Sequence, residues 1–135
     1  MHLTPVWYLF ADECLFVETA ATDRKVRNIL ARPQASLLVD SRRRPGAEQW
    51  VSASGTAEII RGERSQAINA QIQQRYLTKA GIEEPRVGPV FAAASEVTIG
   101  LTPQAWRAFD LKRIDEQWFG GLLGQTPERW FLPLD

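Results

Sequence analysis

The sequence predicts a mainly β domain, an antiparallel barrel with attached helices, and three observations support this prediction. Short segments rich in aromatic and β-branched residues recur along the chain, as expected of strands. Only two segments have the apolar spacing of an amphipathic helix. The resulting order (strand, strand, helix, strand, strand, helix, strand, strand) lacks the regular alternation of a doubly wound parallel sheet.

The N-terminal segments predict a β-hairpin followed by a short helix. Leu3–Phe10 and Cys14–Thr19 are the two strand-like runs, and Pro5, which has no N–H to donate, indicates an edge or a bulge in the first. Asp23–Ala31 has an apolar helical face, and Pro33 prevents its continuation. A hairpin and one capped helix are therefore expected before residue 34.

The middle of the chain predicts two strands joined by a solvated loop. Ala35–Val39 is a short apolar run suited to a buried strand. The loop 41–48 contains the arginine triplet Arg42–Arg44, which is typical of a wet hairpin loop. Gln49–Ile60 reads as a long strand, and Gly55 indicates a bend or a close backbone approach within it.

The C-terminal half predicts a helix, a connector and a closing hairpin. Apolar residues recur every four positions over Gly62–Lys79, as in an amphipathic helix. The later assignments are a connector at Gly81–Pro89, strands at Glu96–Leu101 and Gln104–Leu111 joined by Thr102-Pro103, and an aromatic-rich tail at Lys112–Asp135. Such a tail is expected to pack against a surface, and that of a partner subunit is one candidate.

Composition limits the class of protein. The 135 residues, 44% of them hydrophobic, suit one domain over residues 1–135. Sixteen basic residues offset sixteen acidic ones, so neither nucleic acid nor a membrane surface is an expected partner. The single cysteine excludes an internal disulfide, and neither a secretory signal nor a membrane-spanning run is evident, which predicts a cytoplasmic protein.

The usual catalytic constellations of side chains are missing. His2 is the only histidine and stands at the start of the chain, where a Ser-His-Asp triad is not expected. Cys14 falls within a predicted strand and reads as a small buried hydrophobe, and one His with one Cys cannot supply a zinc site. Any catalysis must therefore depend on a bound organic cofactor.

One segment has the features of an anion site. Between a predicted strand and a predicted helix, Thr19 and Thr22 offer hydroxyls and Arg24 and Lys25 offer positive charge. Unpaired amides and the positive end of the dipole at a helix start favour phosphate there. The alternative is an ordinary helix that is capped by Asp23 and carries surface cations.

In order and spacing, five segments resemble the flavin-binding split barrels related to pyridoxamine 5′-phosphate oxidase, which include the deazaflavin-dependent reductases. The segments are 2–8, 15–19, 24–29, 35–39 and 51–58, and Leu101-Thr102-Pro103 with 106–110 is similar to the family's final strand pair. The resemblance covers almost the whole chain and implies a split antiparallel β-barrel. Members of this family normally begin with a helix and a further strand. Neither element has a counterpart among the segments that resemble the family here.

The resemblance also implies a cofactor, its contacts and a partner. It places Thr4, Pro5, Val6 and Trp7 beside the flavin ring, and it assigns Thr19, Arg24 and Lys25 to the phosphate. Trp50 stands where the oxidases have a flavin-contacting glutamine, so a stacking or steric role is expected of it. The implied cofactor is FMN or, alternatively, the deazaflavin coenzyme, and the implied assembly is a homodimer.

Three functions follow from these expectations. The first is an oxidoreductase that moves a hydride to or from a small organic substrate, although Arg113–Glu116 does not match the substrate-binding pattern of the true oxidases and vitamin B6 oxidation is not expected. The second is a non-catalytic flavin-, haem- or other tetrapyrrole-binding protein of the same fold. The third is a structural dimerisation module.

Overall fold

The computed structural model describes residues 3–41 and 45–133, so the predictions for His2 and Arg42–Arg44 lie outside the described residues. The strands are β1 (Tyr8–Ala11), β2 (Cys14–Thr19), β3 (Gln34–Asp40), β4 (Gln49–Ile60) and β5 (Val97–Asp110). The larger helices are α1 (Arg24–Ala31), α2 (Gly62–Tyr76), α3 (Lys79–Glu83) and α4 (Gly88–Ala94). The C-terminal segment contains α5 (Leu111–Ile114), a π-helical turn (Asp115–Phe119), α6 (Leu122–Gln125) and α7 (Pro127–Trp130).

The five described strands form one hydrogen-bonded sheet in the order β1-β2-β5-β4-β3. Both β1–β2 and β2–β5 pair antiparallel, with Leu15 opposite Leu101 and Thr19 opposite Val97 in the second pair. In the part of the chain that is described, β1 and β3 are the edges of this order. The predicted fold class, mainly β with helices and of the split-barrel type, is confirmed.

The N-terminal hairpin is confirmed, but its first strand is shorter than predicted. Pairing begins at Tyr8 instead of Leu3, because Pro5 has no N–H to contribute to a ladder. Asp12 and Glu13 both have positive φ, 50° and 60°, which is the backbone of a two-residue turn that matches the twist of the strands it joins.

The predicted closing hairpin at Thr102-Pro103 is wrong, since β5 runs without a turn from Val97 to Asp110. A proline restricts the preceding residue to extended backbone, so Pro103 is as compatible with a continuing strand as with a turn. At this point the strand passes very close to Gly55, where an added Cβ would lie 2.0 Å from the Thr102 carbonyl oxygen. The predicted close approach at Gly55 is thus confirmed.

Two further predictions differ from the structure. The connector expected after α2 contains two short helices, α3 and α4, and α2 itself ends at Tyr76. Strand β3 was expected to be buried, yet exposed and half-buried residues alternate along it and Leu38 is 62% exposed. A short apolar run does not distinguish a central strand from an edge strand, and β3 is an edge.

The contacts of the chain fall into two compact units, with unit 1 formed by Met1–Ala35 and Ser54–Gln104 and unit 2 by Ser36–Ala53 and Ala105–Asp135. In unit 1, α2 packs on the hairpin, and Phe16, Ile60, Ile68 and Ile72 form a buried cluster. Beside it, the hydroxyl of Thr98 donates to the Asn69 amide oxygen, 2.6 Å away. The Thr98 and Ser65 hydroxyls are 2.8 Å apart, so the polar groups under α2 are paired with one another.

Unit 2 is organised by contacts of its C-terminal helices. The buried Asp115 carboxylate accepts hydrogen bonds from the backbone N–H groups of Leu123 and Gly124, at 2.9 and 2.8 Å. Gly46, with φ of 80°, lies close to Pro127 and to the ring of Phe131. The aromatic-rich tail therefore packs on the β3–β4 segment of its own chain. Within the described ranges, every helix is too short or too polar to cross a bilayer.

Candidate functional site

The strand-to-helix turn before α1 gathers two of the donor side chains that a phosphate site requires around one carboxylate. The hydroxyl of Thr19, which is buried, donates to one carboxylate oxygen of Asp23. The Lys25 ammonium donates to the same oxygen at 2.6 Å. These three residues, called the α1 cluster below, thus direct a hydroxyl and an ammonium donor at a single anionic oxygen.

The backbone around the α1 cluster is also defined by hydrogen bonds. Asp23 precedes α1 with extended backbone, and its carbonyl accepts the N–H groups of Val26 and Arg27 at 3.1 and 3.3 Å. Its side chain makes no capping bond to the helix and binds Thr19 and Lys25 instead. One amide of the turn, that of Ala21, already donates to the Glu96 carboxylate at 2.9 Å.

The other predicted phosphate residues lie nearby in sequence but are more exposed to solvent. Thr22 and Arg24 are both exposed, whereas Lys25 is half-buried and Thr19 is buried. The structure therefore brings Thr19 and Lys25 together and leaves Arg24 on the rim. Asp23, which sequence reasoning considered only as a helix cap, is the acceptor at the centre.

The donor set of the α1 cluster fits a phosphate. Charge-assisted bonds from an ammonium and a hydroxyl to one oxygen are the contacts that phosphate oxygens make in proteins. A phosphate on the same donors would replace or share the oxygen now provided by Asp23, and repulsion between the two anions would weaken its binding. The two cations Arg24 and Lys25 outweigh Asp23, so the segment Asp23–Lys25 has a net charge of about +1.

Trp7, predicted to lie beside the flavin ring, is part of an aromatic cluster of unit 1. Its ring stacks on Tyr76 at 5.0 Å between centroids and 7° between planes, and it meets Phe91 at 4.7 Å. The Tyr8 N–H donates to the Tyr76 hydroxyl at 3.3 Å, and Arg75 lies over the Tyr8 ring. Tyr76 and Phe91 are distant in sequence from Trp7, so no local pattern predicted these contacts.

The residues preceding Trp7 are more open. Thr4 and Pro5 are exposed and Val6 is half-buried. The Thr4 hydroxyl donates locally, to the Pro5 carbonyl at 3.4 Å. None of these three side chains is charged, so any cofactor contact from this segment would come from backbone groups and from apolar surface.

Glu18 is a half-buried acidic side chain in unit 1. It accepts a hydrogen bond from the Gln73 amide at 3.0 Å. Burial raises the pKa of the Glu18 carboxyl above its ordinary value, and side-chain hydrogen bonds with Gln73 and Ser95 oppose that rise. Glu18 adjoins Thr19 of the α1 cluster in sequence.

Trp50, the remaining predicted cofactor residue, lies in unit 2 and lines a cleft of about 320 Å³. Its ring is nearly parallel to that of Phe109, at 5.9 Å between centroids and 10° between planes. We call this feature the Trp50 cleft, and its lining residues are Val39, Ser41, Gln49, Trp50, Val51, Phe109 and Asp110. The described residues contain no group of three or more potential metal ligands, here or elsewhere.

Comparisons with known proteins give the family and the fold. A model of the pyridoxamine 5′-phosphate oxidase family matches residues 2–110. The structure is similar to that of the conserved hypothetical protein Rv2991 from Mycobacterium tuberculosis, with a TM-score of 0.66, 23% identity, and coverage of 84% of this chain and 71% of that one. It is also similar to an F420 reductase, with a TM-score of 0.55, 24% identity, and coverage of 76% and 75%.

No curated protein matches the sequence. At these identities the two solved structures establish the fold alone, whereas the family model extends over more than half of the chain. The mainly β fold and the family match agree with the resemblance stated from sequence. This chain belongs to the pyridoxamine 5′-phosphate oxidase family.

Proposed function

We propose that this chain binds a phosphorylated flavin and serves as an oxidoreductase that moves a hydride to or from a small organic substrate. The observation that carries the proposal is the convergence of the Thr19 and Lys25 donors on one anionic oxygen at the start of α1. Family membership and the likeness to an F420 reductase support a flavin or a deazaflavin as the bound group. FMN is the first candidate and the deazaflavin coenzyme the second.

When bound, either cofactor supplies the hydride chemistry, and the chain's own residues would hold it. Lys25 and Thr19 would bind phosphate oxygens, and Arg24 would add positive charge at the rim. Thr4, Pro5, Val6 and Trp7 stay the predicted contacts of the ring system, and Trp7 is held in place by Tyr76 and Phe91. Trp50 stays a predicted contact by stacking or steric exclusion.

Titration with FMN, riboflavin and the deazaflavin coenzyme, followed by fluorescence quenching, tests the proposal. FMN or the deazaflavin coenzyme should bind, and riboflavin, which lacks the phosphate, should bind at least tenfold more weakly. Lys25→Ala should weaken binding of the phosphorylated ligand about tenfold, which is the effect expected from the loss of one charge-assisted contact. Lys79→Ala, at an 88% exposed lysine side chain of unit 1, is the matched control and should change nothing.

Asp23→Asn sharpens this test because it removes the competing negative charge. Asparagine preserves the size of the side chain, and the Asp23 side chain makes no capping bond to α1, so the helix should keep its stability. FMN should bind the Asp23→Asn variant several-fold more tightly than the unchanged protein. Binding of neither phosphorylated ligand to any of these proteins would contradict the cofactor assignment.

The second candidate function is a non-catalytic flavin- or haem-binding protein, and the engagement of Asp23 with the cluster's donors favours it. Because Asp23 already occupies both donors, a ligand without a phosphate, such as haem, would lose no contact at this cluster. Reduction of bound cofactor by NADH, NADPH or a reduced deazaflavin would favour the oxidoreductase. Ligand binding without any turnover would favour the binding protein.

We also propose that the chain is a homodimer. Unit 2 exposes large apolar side chains of β5 and of its C-terminal segment. Their contact with water is unfavourable unless a partner covers them. They are Trp106, Trp118, Phe119, Leu122, Trp130 and Leu132. Sedimentation at micromolar concentration should show a dimer, and a Trp118→Ser, Phe119→Ser double variant should shift it toward monomer. A monomeric unchanged protein would contradict the proposal.

A further inference from the structure

The Trp50 cleft has the composition of a small-molecule site. Four of its lining residues are apolar or aromatic, and three offer polar groups. Its volume of about 320 Å³ falls at the lower end of the range for ligand pockets, roughly 300–1,000 Å³. Apolar walls with a few polar groups bind an organic ring and fix its orientation.

The aromatic wall of the cleft favours a flat ligand. Trp50 and Phe109 form an almost parallel pair, yet Trp50 keeps 36% of its surface exposed. A planar ring laid on that exposed surface would continue an offset stack, which is favourable beyond the effect of area burial. A non-planar ring of the same size would gain only the area term.

The polar end of the cleft favours a hydrogen-bond donor on the ligand. Asp110 is the only charged residue among the described lining residues. One of its carboxylate oxygens accepts the Lys112 N–H at 3.0 Å, which caps α5. An ionised carboxylate has about four acceptor positions, so this bond leaves capacity for an ammonium or a hydroxyl of a ligand.

Backbone hydrogen bonds hold the strands around the cleft in position. The Ser41 N–H donates to the Gln49 carbonyl at 2.9 Å, which joins the end of β3 to the start of β4. The Leu111 N–H donates to the Glu48 carbonyl, also at 2.9 Å. The cleft walls are therefore fixed by sheet-type bonds before any ligand arrives, which lowers the entropic cost of binding.

We propose that the Trp50 cleft binds a flat organic ring that carries an ammonium or hydroxyl donor, with the ring on Trp50 and the donor on Asp110. This site belongs to unit 2 and does not depend on the phosphate contacts proposed for the α1 cluster. The proposed ligand is a small molecule separate from the cofactor. A flavin ring shares the stacking chemistry and is already the contact predicted for Trp50 in the proposed function, so the experiment distinguishes the two.

The probe is 2-naphthylmethylammonium, titrated into ¹⁵N-labelled protein, with affinities measured by calorimetry. The five tryptophans give five indole N–H signals, and Trp50→Leu identifies the one from the cleft. The Trp50 signal should shift and saturate, and cyclohexylmethylammonium, which is not flat, should bind several-fold more weakly. Trp50→Leu should weaken naphthyl binding at least tenfold. Trp118→Leu, at a 72% exposed tryptophan outside the cleft, should leave it unchanged.

Asp110→Asn tests the polar half of the proposal. Asparagine can still cap α5, so the fold is retained while the charge is lost. Naphthyl-ammonium binding should fall about three- to tenfold, and 2-naphthoate should bind the unchanged protein more weakly than the ammonium probe does. Equal binding of both probes, or of both proteins, would overturn the role of Asp110.

Two outcomes overturn the site itself. One is a Trp50 signal that does not move at millimolar probe, and the other is equal shifts of all five indole signals, which would indicate non-specific contact. Displacement of the probe by riboflavin would overturn the proposal in favour of the flavin ring as the occupant of the cleft, and binding without displacement would support a separate molecule. If the probe saturates the Trp50 signal while neither FMN nor the deazaflavin coenzyme binds, the cofactor proposal fails and this one stands. If FMN binds and the Trp50 signal does not move with the probe, this proposal fails and the cofactor proposal stands.

Discussion

Unit 1 and unit 2 differ in where their apolar side chains lie. All of the described buried apolar residues except Ala53 belong to unit 1, where α2 and the hairpin enclose Phe16 and Ile72. Unit 2 instead exposes tryptophans, with Trp118 at 72% and Trp106 at 51%. The difference indicates that unit 1 is stabilised chiefly by its own core, whereas the apolar surface of unit 2 is available to ligands or to a second chain.

The same contrast applies to polar groups. In unit 1 the buried hydroxyls and amides of α2 and β5 pair with one another, as Thr98 and Asn69 do. In unit 2 the buried Asp115 carboxylate instead accepts hydrogen bonds from two backbone amides. Hydrogen bonds between side chains thus recur in unit 1, whereas a side chain bound to backbone amides organises the C-terminal helices of unit 2.

The largest expected effect is that of a methyl group at Gly55 of unit 1. In Gly55→Ala the new Cβ would lie 2.0 Å from the Thr102 carbonyl oxygen, and the backbone of β5 cannot shift away without a large cost in free energy. We expect a loss of about 4 kcal/mol or more of unfolding free energy, measured by urea denaturation. In unit 2, Gly124→Ala would meet only the Asp115 side chain, at 3.3 Å, and should change stability by less than about 1 kcal/mol. Equal losses would contradict the contrast between the units.

Truncation of a core side chain should have the next largest effect. Ile72 is fully buried, and Ile72→Ala should cost about 3 kcal/mol through lost burial and the cavity left behind. Leu122 of unit 2 is 46% exposed, and Leu122→Ala should cost less than about 1 kcal/mol. The two variants are compared by their urea midpoints at one low protein concentration. A costlier Leu122→Ala that becomes milder on dilution would indicate that a partner chain covers Leu122.

The smallest effect concerns Glu18 and depends on pH. Because burial raises the pKa of this carboxyl in the folded state, the folded chain holds its proton to higher pH than the unfolded chain does. The contribution of Glu18 to stability is therefore most favourable below 4.5, the pKa of this carboxyl in the unfolded chain. It is lost as the pH rises through the raised pKa of the folded chain. Glu18→Gln should raise the melting temperature slightly at pH 7, with a difference that shrinks below pH 4.5.

The opposite trend for Glu18→Gln, with a gain that grows on acidification, would contradict the burial argument. Glu84 is the control, since hydrogen bonds from Arg86 lower the pKa of this exposed carboxyl. Glu84→Gln should leave the melting temperature nearly unchanged at both pH values, because exposed pairs contribute little.

Local sequence patterns predicted the elements that depend on local physics. The hairpin around Asp12 and Glu13, helix α1 and strand β4 all appear where turn residues, capping and β-branched runs indicated them. The continuity of β5 was missed, because Pro103 is compatible with either a turn or a strand. The short helices α3 and α4 were missed because neither is long enough to show a periodic apolar face.

The candidate site was predictable to a similar degree. Thr19 and Lys25 were identified from residue type and position at a helix start, and both belong to the α1 cluster. The central role of Asp23 was not, because a residue at that position caps a helix more often than it binds side chains. The partners of Trp7 and Trp50, namely Tyr76 and Phe109, come from other elements and leave no local signal.

By itself the sequence determined the fold class, the family resemblance and the donors of the proposed anion site. These depend on backbone propensity, on charge and on the order of short motifs, all of which are local properties. Only the tertiary structure decided that Lys25 and Thr19 meet on Asp23, that β3 is an exposed edge and that Trp50 and Phe109 line one cleft. The physical reason is that strand pairing and burial join residues that are distant along the chain, and side-chain chemistry does not specify which of them meet.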